Sequence, residues 1–175
     1  MHKRTFPIGT IGLVAGAIFV GLMLRVVGLT DNVYWVDEVH TALRLAGYTK
    51  ETVAPLLTQP TTVSELTPFQ GTAAALPDTL WALAQHPEHP PLYYLMAWGA
   101  LALGHPALGF VGVLRGVSVF WGLWALPATY WLCWELWRSP GVSALALALV
   151  TLSPLHVLYA QETREYSLWT SMILL

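Results

Sequence analysis

Four long runs without a charged side chain dominate this sequence, and any fold it adopts must place them. Phe6–Leu24 is nineteen residues between Lys3–Arg4 and Arg25, Gly116–Trp134 is equally long, Ser139–Gln161 is longer, and the last runs from about Tyr166 to Leu175. At ~1.5 Å per residue, nineteen helical residues nearly cross a hydrocarbon core of ~30 Å. Of the 175 residues only 10% are charged and 55% are apolar, whereas soluble domains carry roughly 25% charge. That excludes disorder, collagen and coiled coil. The single Cys133 excludes a disulfide framework and a cysteine-based zinc site. A formal net charge of −2 gives no reason to expect nucleic acid as a partner. The reading is an all-α membrane protein, a multi-pass bundle of transmembrane helices.

The first run has a competing reading as a cleaved signal peptide, because a basic segment precedes it. A signal h-region stops at ~7–15 residues, so the longer run reads as an uncleaved anchor. Gly12 and Gly16 within it have the small-xxx-small spacing that permits close helix packing. A further apolar stretch, Leu92–Gly104, opens on Pro90–Pro91 and stops at Gly104 before His105–Pro106. Its ~21 Å of helix is short for a crossing, so it reads as a helix at the membrane surface; a short tilted span is the alternative. With Lys3 and Arg4 cytoplasmic, the positive-inside rule puts Arg138 on the cytoplasmic side and Gln161–Tyr166 outside. Spans are then expected at about 6–29, 107–134, 139–160 and from 166 onward, with an external loop of about 30–105. The final run is still apolar at Leu175, which reads as the N-terminal part of something longer or as a truncated product.

Residues 30–91 hold seven of the ten acids: Asp31, Asp37, Glu38, Glu51, Glu65, Asp78 and Glu88. A structureless loop of that length would be unusual. Val39, Leu43 and Ala46 have helical spacing before a Gly47 stop, which predicts a helix over Val39–Tyr48. A second short helix is expected over Asp78–Gln85. The Thr- and Pro-rich middle, from Thr49 to Thr79, reads as irregular.

Four clusters could carry chemistry. Asp37–Glu38, beside Tyr34–Trp35, can supply a general base together with a metal ligand or hydrogen-bond orienter; equally, acids suit the positive end of a helix. His86, Glu88 and His89 invite a metal reading, but the interleaved prolines hold neighbours pointing apart. Gln161–Tyr166 fits an interface where Arg164 snorkels and Tyr166 anchors, though that account leaves Glu162 and Glu165 unexplained. Arg115 lies in an otherwise apolar stretch, where a charge is either functional or snorkelling.

In this order these residues resemble the GT-C glycosyltransferases. Asp37–Glu38 follows the first span, Glu88-His89-Pro90-Pro91-Leu92-Tyr93-Tyr94 opens a short helix, and an arginine follows in the next span. Ser153-Pro154 and Tyr159-Ala160-Gln161-Glu162-Thr163-Arg164-Glu165-Tyr166-Ser167-Leu168 are similar to a further family signature. The likeness is strongest to the bacterial branch of the protein O-mannosyltransferase and lipid A aminoarabinose transferase group. It covers nearly all of this chain and about the first third of a typical member.

The resemblance implies a many-spanned fold in a bacterial plasma membrane, with surface helices in the first external loop and an active site facing outward. It implies a sugar donor on a polyprenyl phosphate and transfer to a hydroxyl of a lipid, glycan or protein acceptor. By position, Asp37 matches the general base and Glu38 its companion carboxylate. Glu88 and Glu162 match acids of the cavity, and Arg115 and Arg164 fall where basic groups hold the donor phosphate. Asp37 and Glu162 would be the ligands of a divalent cation. The chemistry is consistent with that assignment. Arginine presents a fork of donors to phosphate, and an acceptor hydroxyl needs a base within hydrogen-bond reach. No glycine-rich phosphate loop is present. The competing reading is a non-catalytic multi-pass protein, a transporter module or assembly partner; transport would call for more ionisable residues in mid-span than Arg115 alone.

Overall fold

The computed structural model describes residues 8–55, 58–69, 71, 73–85, 87, 89–104 and 107–175. Helix accounts for 75% of the structure, and no strand occurs among the described residues. The helices are α1 (Ile8–Val26), α2 (Val36–Leu45), α3 (Lys50–Val53), α4 (Val63–Leu66), α5 (Leu76–Gln85), α6 (Pro91–Leu103), α7 (Gly109–Trp137), α8 (Pro140–Leu152), α9 (Pro154–Ala160) and α10 (Tyr166–Leu174). They fall into two compact units, one of residues 1–29, 118–161 and 165–175, the other of residues 30–117 and 162–164.

In the first unit, α1 packs along α8. Gly21 allows the approach, since a Cβ there would lie 2.6 Å from Thr151 Cγ2. Gly12 and Gly16, whose spacing would permit close packing, face open space. Arg25 is fully buried in this unit. Its guanidinium donates to Thr151 O (3.1 Å) and Val150 O (3.3 Å), orphan acceptors at the end of α8, and to Gly21 O (3.1 Å) of its own helix. The Gln161 amide in turn donates to Leu24 O (2.9 Å) and Val27 O (3.3 Å) at the end of α1.

The third apolar run, expected as one span over 139–160, is broken. α8 and α9 meet at Ser153 with a bend of 58°. Pro154 has no N–H to continue the ladder and drives Ser153 to ψ 119°. Among the described residues one helix, α7, is by itself long and apolar enough to cross a membrane, and the bent α8–α9 pair passes the same test only when taken together. α7 has 29 residues, about 43 Å of helix. Phe19, Val27, Leu149 and Ile173 are exposed, each more than 60%.

In the second unit, α2 packs on α5 and α6. It begins three residues before the expected Val39, because Glu38 caps its first turn, and it ends at Leu45, short of Tyr48. Gly47, at φ +78°, ends the turn that follows. A Cβ on Gly47 would lie 3.1 Å from the Cβ atoms of Ala74 and Asp78. α5 is fixed to that turn, for Ala74 N–H (2.8 Å) and Thr79 Oγ1 (3.0 Å) both donate to Leu45 O. Trp98 of α6 donates its indole N–H to Ala74 O at 2.9 Å. Ala42, Leu45, Ala82, Tyr93, Tyr94 and Ala97 are fully buried and form the core. α6 starts at Pro91 and stops at Gly104 (φ +65°), within a residue of the expected limits at each end. The stretch expected to be irregular holds α3, α4 and a 3₁₀ turn at Thr67–Phe69.

Candidate functional site

Three distant pieces of the second unit meet at the start of α2. Trp35 is extended (φ −77°, ψ 154°) and is the N-cap, so Val36, Asp37 and Glu38 are the first three helical residues. Glu38, third in the turn, folds back so that its Oε2 accepts the Trp35 N–H at 3.0 Å, one half of a capping box. From α7, Arg115 donates Nε to Glu38 Oε1 (2.9 Å) and Nη2 to Oε2 (2.7 Å), the planar fork meeting the carboxylate edge on. From the 162–164 bend, the Thr163 N–H donates to Glu38 Oε1 at 2.8 Å. The exposures of Glu38 and Arg115 are 0% and 1%.

Arg115 also donates to backbone, to Asn32 O at 3.3 Å and Val33 O at 3.2 Å. The Tyr34 ring lies 5.9 Å from its guanidinium carbon, within cation–π range, and the Tyr34 hydroxyl donates to Glu38 O at 3.2 Å. Glu38 and Arg115 are therefore partners in one buried pair. The sequence suggested separate roles for them, Glu38 beside the base and Arg115 on a phosphate.

The accessible chemistry lies next to this pair. Asp37 is 32% exposed, and Arg164 Nη2 approaches its Oδ2 at 3.5 Å. Glu162 is half-buried. Its carboxyl is pushed above the ordinary value by burial, then by the negative charges of Glu38 and Asp37, with Arg115 and Arg164 opposing. For Glu38, burial also pushes upward, but the Arg115 hydrogen bonds and the Trp35 and Thr163 amides prevail and hold it below the ordinary value. Burial raises the Tyr34 phenol, helped by Glu38 and partly offset by Arg115. His40, one turn on from Asp37, is lowered by burial and then by the cations Lys50, Arg44 and Arg164. Two neighbouring carboxyls are thus driven in opposite directions, the pattern that separates proton donors from permanent anions in acid–base sites.

Asp37, Glu38, Arg115, Glu162 and Arg164 come together, whereas Glu88 and His86 lie outside the described residues. His89 lines a recess with Leu80, Leu83, Ala84 and prolines. Among the described residues no group of three or more His, Cys, Asp or Glu is placed to hold a metal ion. Asp37 and Glu162 are a pair of carboxyls close enough for one charge to act on the other. Sequence reasoning noted Tyr34 only as an aromatic neighbour of Asp37–Glu38 and missed the backbone groups of Asn32, Val33 and Thr163, since main-chain partners leave no residue-type signal. A glutamate three places after the N-cap was the available clue to Glu38, weakened because Trp35 is not a Ser or Thr. Compared with family models, curated proteins and solved structures, the chain matches none.

Proposed function

We propose that this chain is part of a multi-pass membrane glycosyltransferase of the GT-C type, working at the outer face of a bacterial plasma membrane. In this reading α7 crosses alone, α8 and α9 cross as a bent pair, and α1 and α10 complete the bundle around them. The exposed apolar side chains of these helices support lipid contact. Helices α2, α5 and α6 belong to the external segment.

The observation that carries the reading is the convergence of Asp37, Glu162 and Arg164 around the buried Glu38–Arg115 pair, from distant segments of the chain. Asp37 accepts the proton of an acceptor hydroxyl while that oxygen bonds to the anomeric carbon of the donor sugar. The anomeric carbon–oxygen bond breaks, and its electron pair leaves with the polyprenyl phosphate. Arg164, beside Asp37, meets the charge growing on that phosphate. Glu38 and Arg115 position both ends of this arrangement, holding the α2 turn that carries Asp37 and the bend that carries Arg164. A divalent cation, when bound, would be held by Asp37 and Glu162 and would add positive charge near the leaving phosphate. The two carboxyls lie close enough for one charge to act on the other, and a cation would relieve that repulsion.

The test is Asp37→Asn in the full-length protein, with transfer from a polyprenyl-phosphate-linked sugar measured beside membrane insertion. Transfer should fall by about 10²-fold or more, the lower range for loss of a general base, with insertion intact. Wild-type transfer rates in that variant would remove the assigned base.

A further inference from the structure

The end of α2 and the start of α3 line a narrow recess with His40, Leu43, Arg44, Tyr48, Thr49 and Lys50. Three of these residues are buried, Leu43, Arg44 and Thr49, each under 10% exposed. Two of those are engaged: Arg44 lies over the Tyr94 ring, 6.0 Å from its centroid, and the Thr49 hydroxyl is 3.1 Å from that of Thr52. His40, Tyr48 and Lys50 differ. Among the described residues none of the three makes a hydrogen bond or an ion pair through its side chain, and His40 Nδ1 is shielded from solvent as well.

Charge and size together select the ligand. No acid lines the recess. Burial, then the positive charges of Lys50, Arg44 and Arg164, hold the His40 ring neutral against the pull of Asp37, so a cation is repelled. The opening of about 10 Å³ holds one water-sized group and no ring. An oxyanion matches what remains. One of its oxygens can accept from the Lys50 ammonium, the Tyr48 hydroxyl and the single N–H of a neutral imidazole. A phosphodiester must bring two bulky arms to this mouth, whereas a carboxylate hangs from one.

We propose that this recess binds a carboxylate, with one oxygen seated among Lys50, Tyr48 and His40. The site stands without the glycosyltransferase reading; only its use for an acidic sugar of the acceptor rests on it.

The test is a saturation-transfer NMR titration of the chain in phosphatidylcholine nanodiscs, with acetate, glucuronate, dimethyl phosphate and glucose as probes. Acetate and glucuronate should be saturated and glucose should not. Tighter binding of glucuronate than of acetate identifies a sugar acid, and equal binding identifies the carboxylate alone. Lys50→Met should weaken binding by about three- to fivefold, as for a solvent-facing ion pair, and Lys50→Arg should restore it. Tyr48→Phe should weaken it by about tenfold, as for a hydrogen bond to a charged group. Asp37→Asn should still bind glucuronate while losing transfer, so the two proposals fail separately. No saturation of either carboxylate, equal saturation of glucose, dimethyl phosphate binding as tightly as acetate, or unchanged binding in both Lys50→Met and Tyr48→Phe would each overturn the site.

Discussion

Replacing Arg115 by Met tests the geometry of the site directly. The side chain keeps an unbranched apolar stem and loses the charged guanidinium, and Glu38, with 0% exposure, is left with the Trp35 and Thr163 amides at 3.0 and 2.8 Å. Breaking a buried ion pair from one side costs about 3–5 kcal/mol. At ~2–4 °C per kcal/mol for a chain of this size, the melting temperature in detergent, read by tryptophan fluorescence, should fall by about 6–20 °C. Glu38→Gln combined with Arg115→Met leaves no buried charge, and a Gln oxygen can still accept from an amide, so the double variant should be more stable than the sum of the two single losses. The pH dependence provides a second check. Glu38 is held below the ordinary value, so in wild type the pair's contribution is full above the ordinary carboxylate range and is lost as pH falls through the lowered value. Without Arg115, burial dominates and the Glu38 carboxyl rises above the ordinary value. The variant then loses stability as pH rises, and its deficit against wild type narrows toward about pH 4. A deficit under about 1 kcal/mol, strict additivity in the double variant, or a deficit independent of pH would each refute the account.

Glu162→Gln should act in the opposite sense. The wild-type carboxyl is raised, so its contribution is full below the ordinary value and is lost as pH rises; with chelator present, the variant should melt above wild type at pH 8, and the gap should close by about pH 4. Gly47→Ala combines a left-handed backbone (φ +78°) with contacts of 3.1 Å to Ala74 and Asp78, and should cost about 2–4 kcal/mol in thermal unfolding. Gly21→Val puts a branched side chain where even a Cβ meets Thr151 Cγ2 at 2.6 Å. It should cost about 1–3 kcal/mol, whereas Gly16→Val, facing open space, should change the melting temperature little.

The helices of this protein were largely legible in its sequence, because proline, glycine and apolar spacing are local signals. Pro91 and Gly104 bracket α6 to within a residue. Where local signals compete, the reading failed in particular ways. The Ser139–Gln161 run has the composition of one span, but Pro154 overrides composition and bends it by 58°. Gly12 and Gly16 have a spacing that permits close packing but face open space, and the close contact is made by Gly21. The candidate site was legible as a set of residues and not as a set of partnerships. Nothing in one sequence says that Glu38 belongs to Arg115, 77 residues away, since pairing depends on how helices meet in space.

Glu38 Oε1 accepts from both Arg115 Nε and the Thr163 amide. A single atom therefore fixes the register of three chain segments, and no one of them can be retuned alone. In a lineage descending from this chain, change at position 38 or 115 should occur as a concerted exchange of both, whereas Asp37, approached by Arg164 at 3.5 Å, answers to the chemistry proposed for it and not to that shared register. The anchoring and the reactivity of this corner can thus evolve at different speeds even though the carboxylates concerned are adjacent in the sequence.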